Sequence, residues 1–358
     1  MKWKGNRWIA AVLACGMLLA GCGSPQSVED PAEQTPSGSA ATAEEPVSRE
    51  IFAMDTYMTV TAYGEQAQEA VDAAVSEIER LDALLSIGEA DSEISVLNAS
   101  GKAQLSADTG VLIDRALELY QDTNGAFDLT ILPLMEAWGF TDEAYRVPSE
   151  EERKMVLQYI GADQLTWDAE SRTITLGEGQ KIDLGGIAKG YTSSRIMDIF
   201  EQYGVTSGMV SLGGNVHLLG AKPDGTAWRV GIQDPENTTG ILGVLETGDC
   251  AVITSGGYER YFEQDGKTYH HIIDPATGKP SDSGISSVTI VSDDGTLADG
   301  LSTALFVMGV EKASDYWRQH ADTFDAVMVS EDGTVYATEG IADSFSCEQD
   351  VTVIEKDR

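Results

Sequence analysis

Hydrophobic and polar positions alternate from Phe52 to Tyr63, in a stretch rich in Thr, Val and Tyr, and predict a β-strand. From Glu65 to Leu85 the period changes. Val71, Ala74, Val75, Ile78, Leu81 and Leu85 recur at helical spacing. A second helix is predicted near Val111 to Asp122, stopping before Gly125, and Ser149-Glu150-Glu151-Glu152 has the form of a capping box opening a short helix that ends at Gly161. Thr173 to Leu176 reads as a short strand and Ile187 to Tyr203 as a helix. Further strands fall near Gly208 to Leu212, Trp228 to Ile232, Ile241 to Leu245, His270 to Ile273 and Ser286 to Ser292. Helices near Thr296 to Met308 and Glu311 to His320 follow, and strands Ala326 to Ser330 and Thr334 to Ala337 close the pattern. The mixture lacks strict βαβ alternation, which favours an α+β fold over a doubly wound sheet.

The first residues follow a different rule. Lys2, Lys4 and Arg7 precede an apolar stretch from Trp8 to Ala20, and no acid appears before Glu29. The stretch is shorter than the ~20 residues of a spanning helix but suits the core of a signal peptide. It ends in Leu19-Ala20-Gly21-Cys22, which resembles a lipobox, with residues 1–21 removed and Cys22 lipidated. Ordinary secretion with cleavage near Gly21 is the plainer alternative. Residues 22–48 then form a tether rich in Ser, Pro, Ala, Thr and Glu, with no Lys or Arg and too little apolar surface to fold. A folded domain is expected over 49–345 and a tail over 346–358. The expected location is the extracytoplasmic face of the cell membrane, held by a lipid anchor. In such an oxidising compartment Cys250 and Cys347 are either bridged or free.

Charge narrows the chemistry. With 23 Lys+Arg against 59 Asp+Glu and a net charge of -36, the chain offers nucleic acid no counterion-releasing surface. Four histidines and four scattered cysteines do not form the closely spaced groups of a zinc enzyme. Neither standard glycine-rich nucleotide signature and no GxSxG elbow occurs. Glycine pairs nevertheless cluster. Asp183-Leu184-Gly185-Gly186-Ile187-Ala188-Lys189-Gly190-Tyr191 opens a helix, where free backbone N–H groups and Lys189 suit an anion, although a capped turn with a solvated lysine fits as well. Ser211-Leu212-Gly213-Gly214-Asn215 and Thr254-Ser255-Gly256-Gly257-Tyr258 read as hairpins or bulges as readily as ligand loops. In the late helix Asp299 and Thr303 stand four apart, off the stripe of Leu297, Leu301, Ala304, Leu305 and Met308. Their hard oxygens suit Mg²⁺, although such a pair taken by itself is more often a solvated face. His270-His271 leads into Asp274-Pro275-Ala276-Thr277-Gly278 and offers a proton acceptor or a structural pair.

Taken together, Met54-Asp55-Thr56, Gly125-Ala126-Phe127-Asp128-Leu129-Thr130, Asp183 through Tyr191, Thr254-Ser255-Gly256, His271 through Gly278 and Ala298 through Ala304 resemble the ApbE family of flavin transferases, in order, from about residue 50 to 340. The resemblance implies a T-fold-like core with FAD as substrate in a cleft between two lobes. It also implies Mg²⁺-dependent transfer of FMN from FAD to a threonine hydroxyl of an acceptor protein, with release of AMP, the acceptors being extracytoplasmic redox proteins. By position, Met54, Ala126, Phe127, Asp128, Asp183, Lys189 and Ile272 would contact FAD, with Ile87 standing where relatives often carry an aromatic on the flavin. Asp299 and Thr303 would hold Mg²⁺, assisted by Ser302 and a backbone oxygen at Gly186, and His271 would be the base. Asp55 replaces the more usual glycine of the first motif. FAD hydrolysis to FMN and AMP, non-catalytic flavin binding and plain solute binding are the competing expectations.

Overall fold

A computed structural model of the chain describes residues 45–357. The signal segment, Cys15, Cys22 and the tether as far as residue 44 lie outside the described residues, so the lipidation and anchoring expectations concern positions beyond them. Among the described residues no helix is long and apolar enough to cross a membrane.

A nine-stranded sheet forms the middle layer, in the order Val47–Ala53, Thr56–Ala62, Gly208–Leu212, Asn215–Leu219, Cys250–Gly256, Ile285–Ser292, Asp325–Ser330, Val335–Thr338 and Val351–Ile354. All neighbours run antiparallel except the last pair. Period-two alternation decides which residues face which layer. Ala251, Ile253, Ala326 and Met328 enter the core beneath the helices, whereas Cys250, Val252, Val327 and Val329 meet Ile232, Leu242, Leu245 and Phe345 of a three-stranded sheet on the other face. That second sheet is built from Trp228–Gln233, Ile241–Thr247 and Phe345–Cys347. The α+β expectation therefore holds, with strands buried on both sides. The segment read as a tail contributes residues 346 and 347 to one sheet and Val351–Ile354 to the other.

Two expected strands are broken. Phe52 to Tyr63 is a hairpin, with Met54 and Asp55 both at positive φ (47° and 58°). Two central residues of that conformation make the tight turn whose twist matches the flanking strands. Aspartate tolerates the left-handed region, but methionine stands there at a steric cost. His270 to Ile273 likewise splits. Lys267–His270 pairs with Tyr261–Gln264, and Ile273–Asp274 pairs with Lys279–Pro280. The Gly213-Gly214 cluster is the turn of a hairpin, both residues at positive φ. Cys250 and Cys347 are free thiols, with Cys250 Sγ beside Thr247 Oγ1 and Cys347 Sγ bonded to the Leu242 carbonyl.

Helices Gly185–Gln202 and Gly295–Met308 cover the helix-side face and cross at a point where their backbones touch. A Cβ on Gly190 would lie 2.1 Å from the Gly295 carbonyl oxygen and 2.6 Å from Asp299 Cβ. Only glycine fits, and this contact sets the depth of everything the late helix carries. Gly190→Ala is therefore expected to cost about 3 kcal/mol or more, because backbone rather than a flexible side chain must yield. A shift in the urea midpoint reads it, and an unchanged midpoint would contradict the packing described.

Candidate active site

The late helix carries Asp299 into the interior. It is capped by Asp294, whose Oδ1 accepts from the Leu297 N–H at 3.0 Å, and Arg115 pairs with that cap through the other oxygen. Because sheet and helix enclose this element from Gly295 to Phe306, Asp299 is only 4% exposed, which overturns the solvated-face alternative. Its Oδ2 accepts the Gly190 N–H at 2.8 Å and its Oδ1 accepts Asn215 Nδ2 at 3.0 Å. Ser302, fully buried, donates to the Asp299 carbonyl oxygen at 2.7 Å. Its proton being used there, Ser302 Oγ accepts from Ser255 Oγ at 2.7 Å, and Thr303 Oγ1 in turn lies 3.3 Å from Ser255 Oγ. One carboxylate and a run of hydroxyls thus gather within one helical turn.

Burial raises the Asp299 pKa, and Lys189 and the two hydrogen-bond donors only partly counter it. Asp183, nearby, is likewise raised by burial and lowered by its bond from the Gly185 N–H and by the charges of Arg260 and Lys189. Glu259 is an exposed residue, yet loss of surrounding water and the Asp299 charge push it up to about 7 against the opposing pull of Lys189. Three carboxylates therefore share two cations, Lys189 and Arg260, so negative charge is in excess around them. His271 is driven the other way, down to about 3, by burial and then by the Arg260 charge. The Arg260 carbonyl lies 3.2 Å from His271 Nδ1. A carbonyl can only accept, so Nδ1 carries the proton and Nε2 keeps a free lone pair.

Apolar contacts surround these polar groups. Met54, held in its strained turn, lies within 3.9 Å of Thr192 Oγ1 on the glycine-led helix. Phe127 packs on Gly186, its ring 3.0 Å from where a Cβ would stand. Met54, Ile87 and Ala126, all partly buried, lie against the core that contains Phe127, Ile187, Ala188 and Ile272. Asp128 also has a local role. Its Oδ1 accepts from the Thr130 N–H at 2.8 Å and the Thr130 hydroxyl at 2.7 Å, capping a turn. The structure thus connects the residues singled out in all six motifs. Asn215, Ser255, Glu259 and Arg260 join them without having been assigned a role from the sequence. Asn215 and Ser255 had a signal in the glycine clusters that contain them, whereas Glu259 and Arg260 had none.

Known proteins resemble the chain in both sequence and fold. The ApbE family pattern matches residues 54–328. The FAD:protein FMN transferase of Treponema pallidum is 33% identical over 96% of both chains, and that of Klebsiella pneumoniae is 36% identical over 71% of this chain and 79% of its own. Among solved structures, the ApbE protein of Thermotoga maritima superposes with a TM-score of 0.80 at 32% identity. The flavin transferase ApbE of Vibrio cholerae does so with a TM-score of 0.76 at 30%, and each covers 84% of this chain and 99% of its own. Six motifs occur in order along the chain, and sequence and fold agree with these relatives over most of the length: the chain belongs to the ApbE family.

Proposed function

We propose that this protein is an FAD:protein FMN transferase that moves FMN from FAD to a threonine hydroxyl of an acceptor protein and releases AMP. The observation that carries the reading is Asp299, a buried carboxylate gripped from two sides and bordered by the Ser302 and Thr303 hydroxyls. Burying a carboxylate is costly unless a cation or hydrogen-bond donors meet it.

That donor set fits Mg²⁺. Among the described residues no group of three His, Cys, Asp or Glu side chains gathers to hold a metal. Mg²⁺ is commonly held by one or two carboxylates together with substrate phosphates rather than by an all-protein cage. Asp299 and Thr303 would hold it, with Ser302 and the Gly186 carbonyl assisting. Bound there, the ion would neutralise charge on the diphosphate of FAD. The residues of the chain supply the rest. Lys189 and the N-terminus of Gly185–Gln202 attract the phosphates locally, in a protein whose overall charge repels them. Met54, Ala126, Phe127 and Ile272 shape the apolar wall, with Ile87 beside them, and Asp183 borders the phosphate-facing helix.

His271 Nε2 accepts the threonine proton. The threonine oxygen forms a bond to the flavin-side phosphorus, the bond from that phosphorus to the bridging oxygen breaks, and AMP departs with the electron pair. The product is a phosphoester. Carriage by a lipid on Cys22 at the outer face of the cell membrane, with extracytoplasmic redox proteins as acceptors, belongs to the same proposal and is supported by residues 1–22 of the sequence.

The test is incubation of the full chain in detergent with FAD, Mg²⁺ and a threonine-bearing acceptor. A mass gain of one FMN on the acceptor, with AMP released, supports transfer. AMP without that gain identifies hydrolysis instead, and tight FAD retention with no AMP identifies a carrier. In addition, at pH 8, above the Glu259 pKa of about 7, Glu259→Gln removes a negative charge beside Lys189 and is expected to tighten FAD binding about threefold, on the scale of one partly screened charge pair. Fluorescence titration reads it, and weaker binding would make Glu259 a ligand contact.

A further inference from the structure

The strand Asn215–Leu219 lies inside the nine-stranded sheet, yet two of its side chains, Asn215 and His217, are polar and each only 4% exposed. They alternate onto the helix-side face, where His217 pairs across the sheet with the core residue Ala251. Apolar residues would pack there at less cost, because a buried polar group must recover its lost hydration through hydrogen bonds. Both recover it at a single place. Asn215 Nδ2 donates to Asp299 Oδ1 at 3.0 Å. His217 Nδ1 lies 2.9 Å from Ser193 Oγ, and Ser193 donates its only proton to the Gly190 carbonyl at 2.7 Å. His217 is therefore the donor to Ser193, with its proton on Nδ1. The N–H of the same Gly190 holds Asp299 Oδ2 at 2.8 Å. One strand thus fixes one carboxylate oxygen directly, and braces through the helix the residue that fixes the other.

We infer that Asn215 and His217 are positioning residues for Asp299: they set the direction of its remaining lone pairs and hence the affinity of the site for a hard divalent cation. The inference rests on the Mg²⁺ reading above and assigns the chain a supporting layer behind the ion. Such layers fix ligand orientation, and their loss commonly costs about 10- to 100-fold in metal affinity.

Mn²⁺ serves as the probe, its free fraction read by electron paramagnetic resonance on the full chain in detergent without FAD. Asn215→Ala is expected to weaken Mn²⁺ binding about 10- to 100-fold and His217→Ala by the lower end of that range. FAD affinity in the absence of metal should stay within about twofold of wild type, since that affinity depends on groups elsewhere in the cleft. Asn215→Ser, which keeps a donor and cannot clash, is read in parallel and should fall between wild type and Asn215→Ala. Undiminished Mn²⁺ affinity in Asn215→Ala, where Asp299→Ala abolishes it, would overturn the positioning role alone. Undiminished affinity in Asp299→Ala would overturn the metal reading with it. Loss of cooperative melting in both Asn215 variants would make the residue structural and overturn the inference.

Discussion

Replacing Asp299 by asparagine is expected to lower metal-dependent transfer by about a thousandfold or more, the scale of several kcal/mol of lost charge stabilisation. Asparagine matches aspartate in shape, so the contact at Gly190 and the helix crossing survive; its amide oxygen still accepts the Gly190 N–H, and Asn215 meets the new NH2 group by turning its own amide to present the oxygen. What disappears is the charge. Asp299→Ala should be equally inactive but less stable, because the Gly190 N–H and the Asn215 amide would be left buried without their acceptor, at roughly 1–3 kcal/mol for each such group. A pH series separates the two effects in the metal-free protein. Burial raises the folded-state pKa of Asp299 above its unfolded value. Between those two values the folded state binds more protons than the unfolded state, so this group lowers stability as pH rises through the window. Asparagine does not titrate. Metal-free Asp299→Asn should therefore gain on wild type as pH is raised from 4 toward 8, and added Mg²⁺ should stabilise wild type alone. If Asp299→Asn keeps both its turnover and its response to Mg²⁺, the ion is held elsewhere and the proposed site fails.

The sequence disclosed Asp299 through its spacing from Thr303 and its place in an ordered set of motifs, but it misdirected the reader about burial. Asp299 lies off the apolar stripe, and a stripe normally means that the remaining faces meet water. Here a second helix covers that other face, and the glycine that lets it approach, Gly190, lies 109 positions away in the chain. The bond from Asn215 spans 84 positions. Periodicity reports a residue's own element and cannot name a partner so distant. The hairpin at Met54-Asp55 was hidden for a local reason. Alternation continues through it, and the turn uses Met-Asp in place of the Asn-Gly or Asp-Gly pairs that announce such geometry. Helices Glu93–Ser100 and Leu132–Trp138 were missed because they span barely two turns, too few for an apolar period to emerge. Long helices such as Gly295–Met308 were recovered to within a few residues, and the short Ser149-capped helix was found by its cap, whose hydroxyl accepts the Glu152 N–H at 3.1 Å, although it ends at Val156 rather than Gly161.

His271→Ala is expected to reduce transfer about 100- to 10,000-fold, the usual contribution of a positioned general base, while leaving FAD binding almost unchanged. The split follows from placement. The ring hangs on the Arg260 carbonyl through Nδ1, so its Nε2 lone pair is available to a hydroxyl but offers a phosphate oxygen no proton. Burial and the adjoining Arg260 charge also keep it neutral, with a pKa of about 3. The acid limb of kcat/KM in the free enzyme should therefore show no inflection near 6.5 from this residue, since an unprotonated base persists well below that pH. The same depression carries a stability consequence. Between about 3 and the unfolded value near 6.5 the unfolded chain takes up a proton that the folded chain refuses, so the stability present above 6.5 is lost as pH falls. His271→Ala should melt at the same temperature as wild type at pH 7.5, once the lost ring contacts with Phe140 are allowed for, and lose less on acidification to pH 4.5. A variant that transfers FMN at the wild-type rate would remove His271 from the chemistry. One that no longer binds FAD would make the ring a ligand contact, and the search for the base would move to Glu259, which loss of surrounding water and the Asp299 charge push up to about 7.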